Sequence, residues 1–110
     1  MSRSDRERVN DIRVACLAIA DYLSRTDAAE DLIFDAIRMR LIEIGEATKD
    51  LTLRTRELEP SIPWGDIARL RDHLAHRYFD TTHSILSTTA RNDIPALFEA
   101  TERLAASLAR

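Results

Sequence analysis

Breaks are scarce in this chain. Two glycines and three prolines punctuate 110 residues, and between them apolar side chains return at steps of three and four, the period of helices that bury one face. In the segment 5–24, Val9, Ile12, Cys16, Ile19 and Leu23 form such a stripe. Residues 24–27 read as a turn, and a longer helix is expected over 28–53. On a wheel of about 100° per residue, Ile33, Phe34, Ile37, Leu41, Ile44, Thr48 and Leu51 point one way, while Met39 and Ile42 lie well apart from them. One face suffices for an isolated bundle, so the second patch calls for a second packing partner, either another helix of the chain or another subunit. Gly45, in the middle of this helix, costs about 1 kcal/mol of helix propensity relative to alanine. Two explanations stand: a close approach by a neighbouring helix, or a surface position that tolerates glycine.

The prolines mark the next boundaries. Pro60 and Pro63 push the residues before them out of the helical region, and Pro63 suits the first turn of a helix over 63–79. Residues 80–83 form a joint, a short helix is expected over 84–90, and Asn92 or Asp93 caps a last helix with Pro95 in its first turn. Leu97, Phe98, Thr101, Leu104, Ala105 and Leu108 supply that helix with an apolar face. The expectation is an all-α, up-down bundle of four to five helices, a single domain over 1–110, completed by pairing as a homodimer because small helical chains often finish their core that way.

Composition bears on partners. Hydrophobic residues at 45% and charged residues at 32% give enough apolar surface for a packed core. A formal net charge of -3 argues against a protein that grips nucleic acid through a broad positive field, so any such contact must be local. Cys16 has no partner for an intrachain disulfide and sits in an apolar run, which reads as a small core residue. Residues 1–10 are polar, with no signal-peptide core after them, and no run reaches membrane-spanning length. The expected location is the cytoplasm, with no membrane contact.

The chemistry is concentrated in one octapeptide, Arg71-Asp72-His73-Leu74-Ala75-His76-Arg77-Tyr78. Ile67, Leu70 and Leu74 form the apolar stripe of its helix, and Asp72 and His76, four apart on the other side, can touch, with the carboxylate orienting the imidazole. Arg71 and His76 stand about 140° apart on the wheel, so a straight helix does not bring them together. Either the helix is distorted near its end, or a second copy supplies its own Arg71 and His76 across a two-fold axis; the extra apolar patch favours the dimer. Histidine exchanges protons near neutral pH, and arginine holds phosphate oxygens while charge builds. With RNA the 2′-hydroxyl is the nucleophile, so phosphodiester cleavage needs no metal and no cofactor. His73, His76 and His83 have no metal-ligand spacing and read as surface imidazoles. Arg71 beside Asp72 or Asp66 also fits an ordinary surface ion pair, and Tyr78 an aromatic at the edge of the core.

The run from Ile62 to Phe79, IPWGDIARLRDHLAHRYF, resembles the signature of the HepT-like branch of the HEPN superfamily. Arg40 to Leu51, RLIEIGEATKDL, is similar to the second-helix motif of that family, and Asn92 to Leu97 to its last-helix entry. The resemblance implies a toxin of a prokaryotic toxin-antitoxin pair that acts as a metal-independent endoribonuclease. It maps the catalytic pair onto Arg71 and His76, with Asp72 where relatives often carry asparagine. It also implies that Tyr78 is adenylylated by a cognate nucleotidyltransferase antitoxin of the MntA type, and that homodimers, sometimes larger assemblies with the antitoxin, are formed. Such a modification would block an RNA phosphate by charge and bulk. The chain departs from the family at Ser84-Ile85-Leu86, where a tryptophan is common.

Two functions follow as expectations. The first is RNA cleavage, with Arg71, His76 and Asp72 at the centre and Arg69 and Arg77 binding substrate. The second is a helical binding module that partners a nucleotidyltransferase without cutting RNA, which the low positive charge suits.

Overall fold

In a computed structural model the chain is described over residues 3–76 and 83–109, at position 83 for the backbone alone. The first helix, α1 (Asp5–Ser24), opens on a reciprocal cap: Glu7 N–H donates to Ser4 Oγ, and Ser4 N–H to Glu7 Oε1, both at 3.1 Å. Val9, Ile12, Cys16 and Ile19 of its stripe are buried, joined by Ala15, and Leu23 packs at the margin.

The second helix, α2 (Glu30–Lys49), is shorter at both ends than its apolar pattern predicts. Its C-terminus is stopped by two contacts from beyond it. The Arg56 guanidinium donates to the carbonyls of Thr48, at 2.6 Å, and Lys49, at 3.3 Å, placing a cation on the negative end of the helix. Thr52 then caps a five-residue helix, α3 (Leu53–Glu57), and both Thr52 and Thr55 donate to Asp5 at the start of α1. Burial alone would raise the Asp5 carboxyl; the hydrogen bonds from Thr52 and Thr55, with the Arg8 charge, outweigh it and hold the group below its ordinary range. Among the described residues one further helix than expected results, because the expected long helix stops at Lys49 and α3 follows in a stretch to which the sequence pattern assigns no element.

Three helices complete the fold: α4 (Trp64–His76), α5 (His83–Asn92) and α6 (Ile94–Leu108). The end of the predicted 63–79 helix and most of the 80–83 joint lie outside the described residues. Asp93 sits at the α6 N-cap, although its side chain makes no cap hydrogen bond, and Pro95 occupies the first turn. The connector into α4 is pinned by Trp64, whose indole N–H is shared between the Arg56 and Glu59 carbonyls, each at 3.1 Å.

The helices form an all-α bundle in which α2 lies between α1 and α4, α6 covers α1, and α5 rests on α2 and α6. Asp5 against Thr52 and Tyr22 against Arg40 show α1 and α2 running antiparallel. The shared core is built from Ile12, Ile19, Ile37, Leu74, Leu86 and Leu104, among others. Of the second patch on α2, Ile42 is half-buried against that core, whereas Met39 is 56% exposed. Among the described residues no helix is long and apolar enough to cross a membrane.

Candidate active site

The site is set by where α2 and α4 cross. A Cβ built on Gly45 would fall on Arg71 Cβ and within 3.1 Å of both Arg71 Cα and the Ile67 carbonyl. Of the two explanations for a mid-helix glycine, the close approach is therefore the correct one. The backbone of α4 is seated on α2 at the residue expected to hold phosphate, and Leu74, buried one turn further on, fixes the rotation of the helix.

Seated in this way, Arg71 meets side chains from the next turn of α2. Its Nε lies 2.6 Å from Glu46 Oε2, an ionic contact in which the buried Nε makes no aligned hydrogen bond. Nη1 donates to Asp72 Oδ1 at 3.1 Å, and Lys49 Nζ stands 3.6 Å from the same oxygen. Two cations and two carboxylates thus form a locally neutral cluster. The Arg71 hydrogen bond, followed by the Lys49 charge, holds the Asp72 carboxyl below the usual carboxylate range, over the opposing effect of burial. Asp72 and Glu46 in turn raise the Arg71 pKa. The Arg71 side chain keeps 28% of its surface open, enough for a guanidinium edge to reach a ligand. Beside the cluster, between α1 and α2, opens a cleft of about 740 Å³ whose walls include Arg3, Arg8, Arg40, Glu43 and Glu46.

The remaining predicted residues are placed differently. His76 and His73 are exposed near the end of α4. No hydrogen bond or ion pair joins His76 to Arg71 or Asp72 among the described residues; the Asp72 carboxylate, read from the sequence as the group orienting His76, is turned towards Arg71 and Lys49. Arg69 is 75% exposed and ion-paired with Asp66 one turn earlier. Arg77 and Tyr78 lie outside the described residues. Glu46 and Lys49 join the site without a signal of their own in the sequence, although they stand one and four residues after Gly45, and a glycine reserved for a helix crossing marks the turn that faces the partner helix. Cys16 is buried in the core, which pushes its thiol up to about 12 and leaves it without nucleophilic character.

Chemically, the arrangement offers a guanidinium anchored on two sides, a lysine within reach of the same anion position, and an exposed imidazole beyond them. That set suits charge stabilisation at a phosphate with proton transfer from an exposed neighbour.

Comparison with known proteins agrees with this chemistry. The family described as "Ribonuclease HepT-like" matches residues 12–104. The chain is 36% identical over 109 residues to "Probable ribonuclease HepT" of Thermococcus cleftensis, across 94% of this chain and 98% of that protein. It is 37% identical over 76 residues, 68% of each chain, to a protein of Caldanaerobacter subterraneus subsp. tengcongensis whose name marks it as a candidate RNase. A candidate RNase of Methanocaldococcus jannaschii shares 28% identity over 102 residues, 88% of this chain and 94% of the relative. No solved structure matches the chain. With the family match extending over most of the bundle, the chain belongs to the HepT-like ribonuclease family.

Proposed function

We propose that this chain is a metal-independent endoribonuclease, the toxin of a toxin-antitoxin pair, acting as a single HepT-like domain over 1–110. The observation that carries the reading is the seating of Arg71 on Gly45 with its guanidinium held by Glu46 and Asp72. In the proposed reaction the 2′-oxygen of the RNA attacks the adjacent phosphorus, and the bond to the 5′-oxygen of the next nucleotide breaks. Arg71 stabilises the charge on the non-bridging oxygens. His76 takes the proton from the 2′-hydroxyl or supplies one to the leaving oxygen, and the product is a 2′,3′-cyclic phosphate.

Arg71 faces α2 while His76 is exposed five residues later, which supports a site completed by a second copy of the chain across a two-fold axis. Tyr78, two residues beyond His76, is the proposed target of adenylylation by a nucleotidyltransferase antitoxin, and Arg69 and Arg77 the proposed outer contacts to RNA. The test is incubation of the purified chain with mixed RNA in excess chelator, followed by end-group analysis. Cyclic phosphate ends lost in both Arg71→Ala and His76→Ala support the reading; RNA left intact by the parent chain overturns it. The neutrality of the cluster favours a second reading, a binding module that pairs with the nucleotidyltransferase without cutting RNA. Under it, parent and His76→Ala chains are equally harmless on expression.

A further inference from the structure

Lys49 has no part in the reaction just proposed, and its position has an ordinary explanation: it sits in the last turn of α2, where a cation complements the helix dipole. That explanation does not account for its partner. The oxygen it approaches, Asp72 Oδ1, is the one that accepts from Arg71 Nη1, so one anionic oxygen is shared by two cations from two helices. An ion pair exposed to this degree, with about half of each side chain open to solvent at 52% and 48%, contributes little to stability. The geometry is that of an oxyanion between an arginine and a lysine, and an RNA phosphate oxygen has the same size, charge and hydrogen-bonding demand.

We propose that Lys49 and Arg71 form a two-cation clamp for an RNA phosphate, and that Asp72 occupies this clamp in the resting chain and is displaced by substrate. This rests on the reading of the chain as an RNA-cleaving protein and adds to it a substrate-binding residue and a role for Asp72. The substitute occupant is intramolecular and short, so a rotation about its own side-chain bonds clears the position. Glu46, on the far side of Arg71, remains to hold the guanidinium as the phosphate arrives. The clamp also meets the difficulty posed by a net charge of -3: RNA is held by two local cations made available on binding, not by a general field.

The test is binding of a mixed-sequence, single-stranded 2′-O-methyl RNA, which lacks the nucleophile and cannot be cut, by the full chain over a range of salt. Lys49→Gln should weaken binding about fivefold, the value of one charge at close range in water, and should flatten the plot of log affinity against log salt by about 0.7. Lys49→Arg should restore both. Asp72→Asn, which keeps the shape and removes the competing charge, should tighten binding by a similar factor. Thermal melts of all three should stay near the parent's, since both side chains are half exposed.

Unchanged affinity and salt slope in Lys49→Gln, or weaker binding in Asp72→Asn, overturns the clamp; if the parent still cuts natural RNA, the nuclease reading survives that result. A parent chain that neither binds the probe nor cuts natural RNA overturns both.

Discussion

Gly45→Ala is the substitution on which the placement of Arg71 can be judged. Outside a packed site it would be favourable, because alanine is the better helix former by about 1 kcal/mol. Here the new methyl meets the Cβ and Cα of Arg71 and the Ile67 carbonyl, which belong to the frame of α4 and not to the far end of a flexible side chain. Ordinary carbon contacts need about 3.5–4.0 Å, so the two helices must separate by on the order of 1 Å. Overpacking of this kind costs about 1–3 kcal/mol. Subtracting the propensity gain leaves a net loss of about 0–2 kcal/mol, and the upper half of that range is expected because backbone has to move. Calorimetry should show a melting temperature lower by about 5–10 °C.

The effect on RNA cleavage should be larger than the effect on folding, since a displacement of about 1 Å at a catalytic group costs on the order of a hundredfold in rate. Gly65→Ala is the matched control. Its Cβ would meet Arg69 Nη1 at 3.5 Å, an ordinary contact at a flexible tip, so that variant should melt no lower than the parent and cut RNA at the parental rate. If Gly45→Ala melts as high as Gly65→Ala and keeps full activity, the crossing does not position Arg71 and the reasoning fails.

Other expectations concern the frame around the site. Asp5 is held below its ordinary value of 3.8 in the folded chain; its contribution to stability is therefore complete above that pH and is lost as pH falls through the lower, folded value. Acid titrations followed by circular dichroism should show Asp5→Asn less stable than the parent at neutral pH, with the difference shrinking below about pH 4. Trp64→Phe leaves the Arg56 and Glu59 carbonyls without the indole donor and should lower stability by about 1–2 kcal/mol in urea melts. The buried Cys16 thiol should resist alkylation in the native chain at pH 8 and react fully once unfolded, which intact mass will resolve.

The parts of the fold legible in the sequence were those specified by neighbours along the chain. The stripe from Val9 to Leu23 and its bounds follow from local periodicity, and α1 spans Asp5–Ser24 as its pattern predicts. The end of α2 was not legible, because it depends on Arg56 reaching back to two carbonyls and on Asp5, 47 residues before Thr52, holding the next turn. The same division runs through the site. Arg71 is marked by residue type and spacing, whereas Gly45 admits two explanations in the sequence and only the helix crossing decides between them. That Asp72 pairs with Lys49 depends on how two helices register against each other, and no periodicity within either one encodes that.

The manner in which α4 is fastened has a mechanical consequence. Its first turn is tied through Trp64 to the α3 connector, its middle bears on Gly45, and α2 is its main packing partner among the described residues. A stiff rod held at its start and packed along its length moves as one piece with the helix beneath it. From Trp64 to Arg71 is about 10 Å of helix and from Arg71 to His76 about 7.5 Å, and Leu74, buried between the last two, ties that second span to the core. Pressure on the connector between α3 and α4 would therefore reach Arg71 and His76 together, as parts of one body.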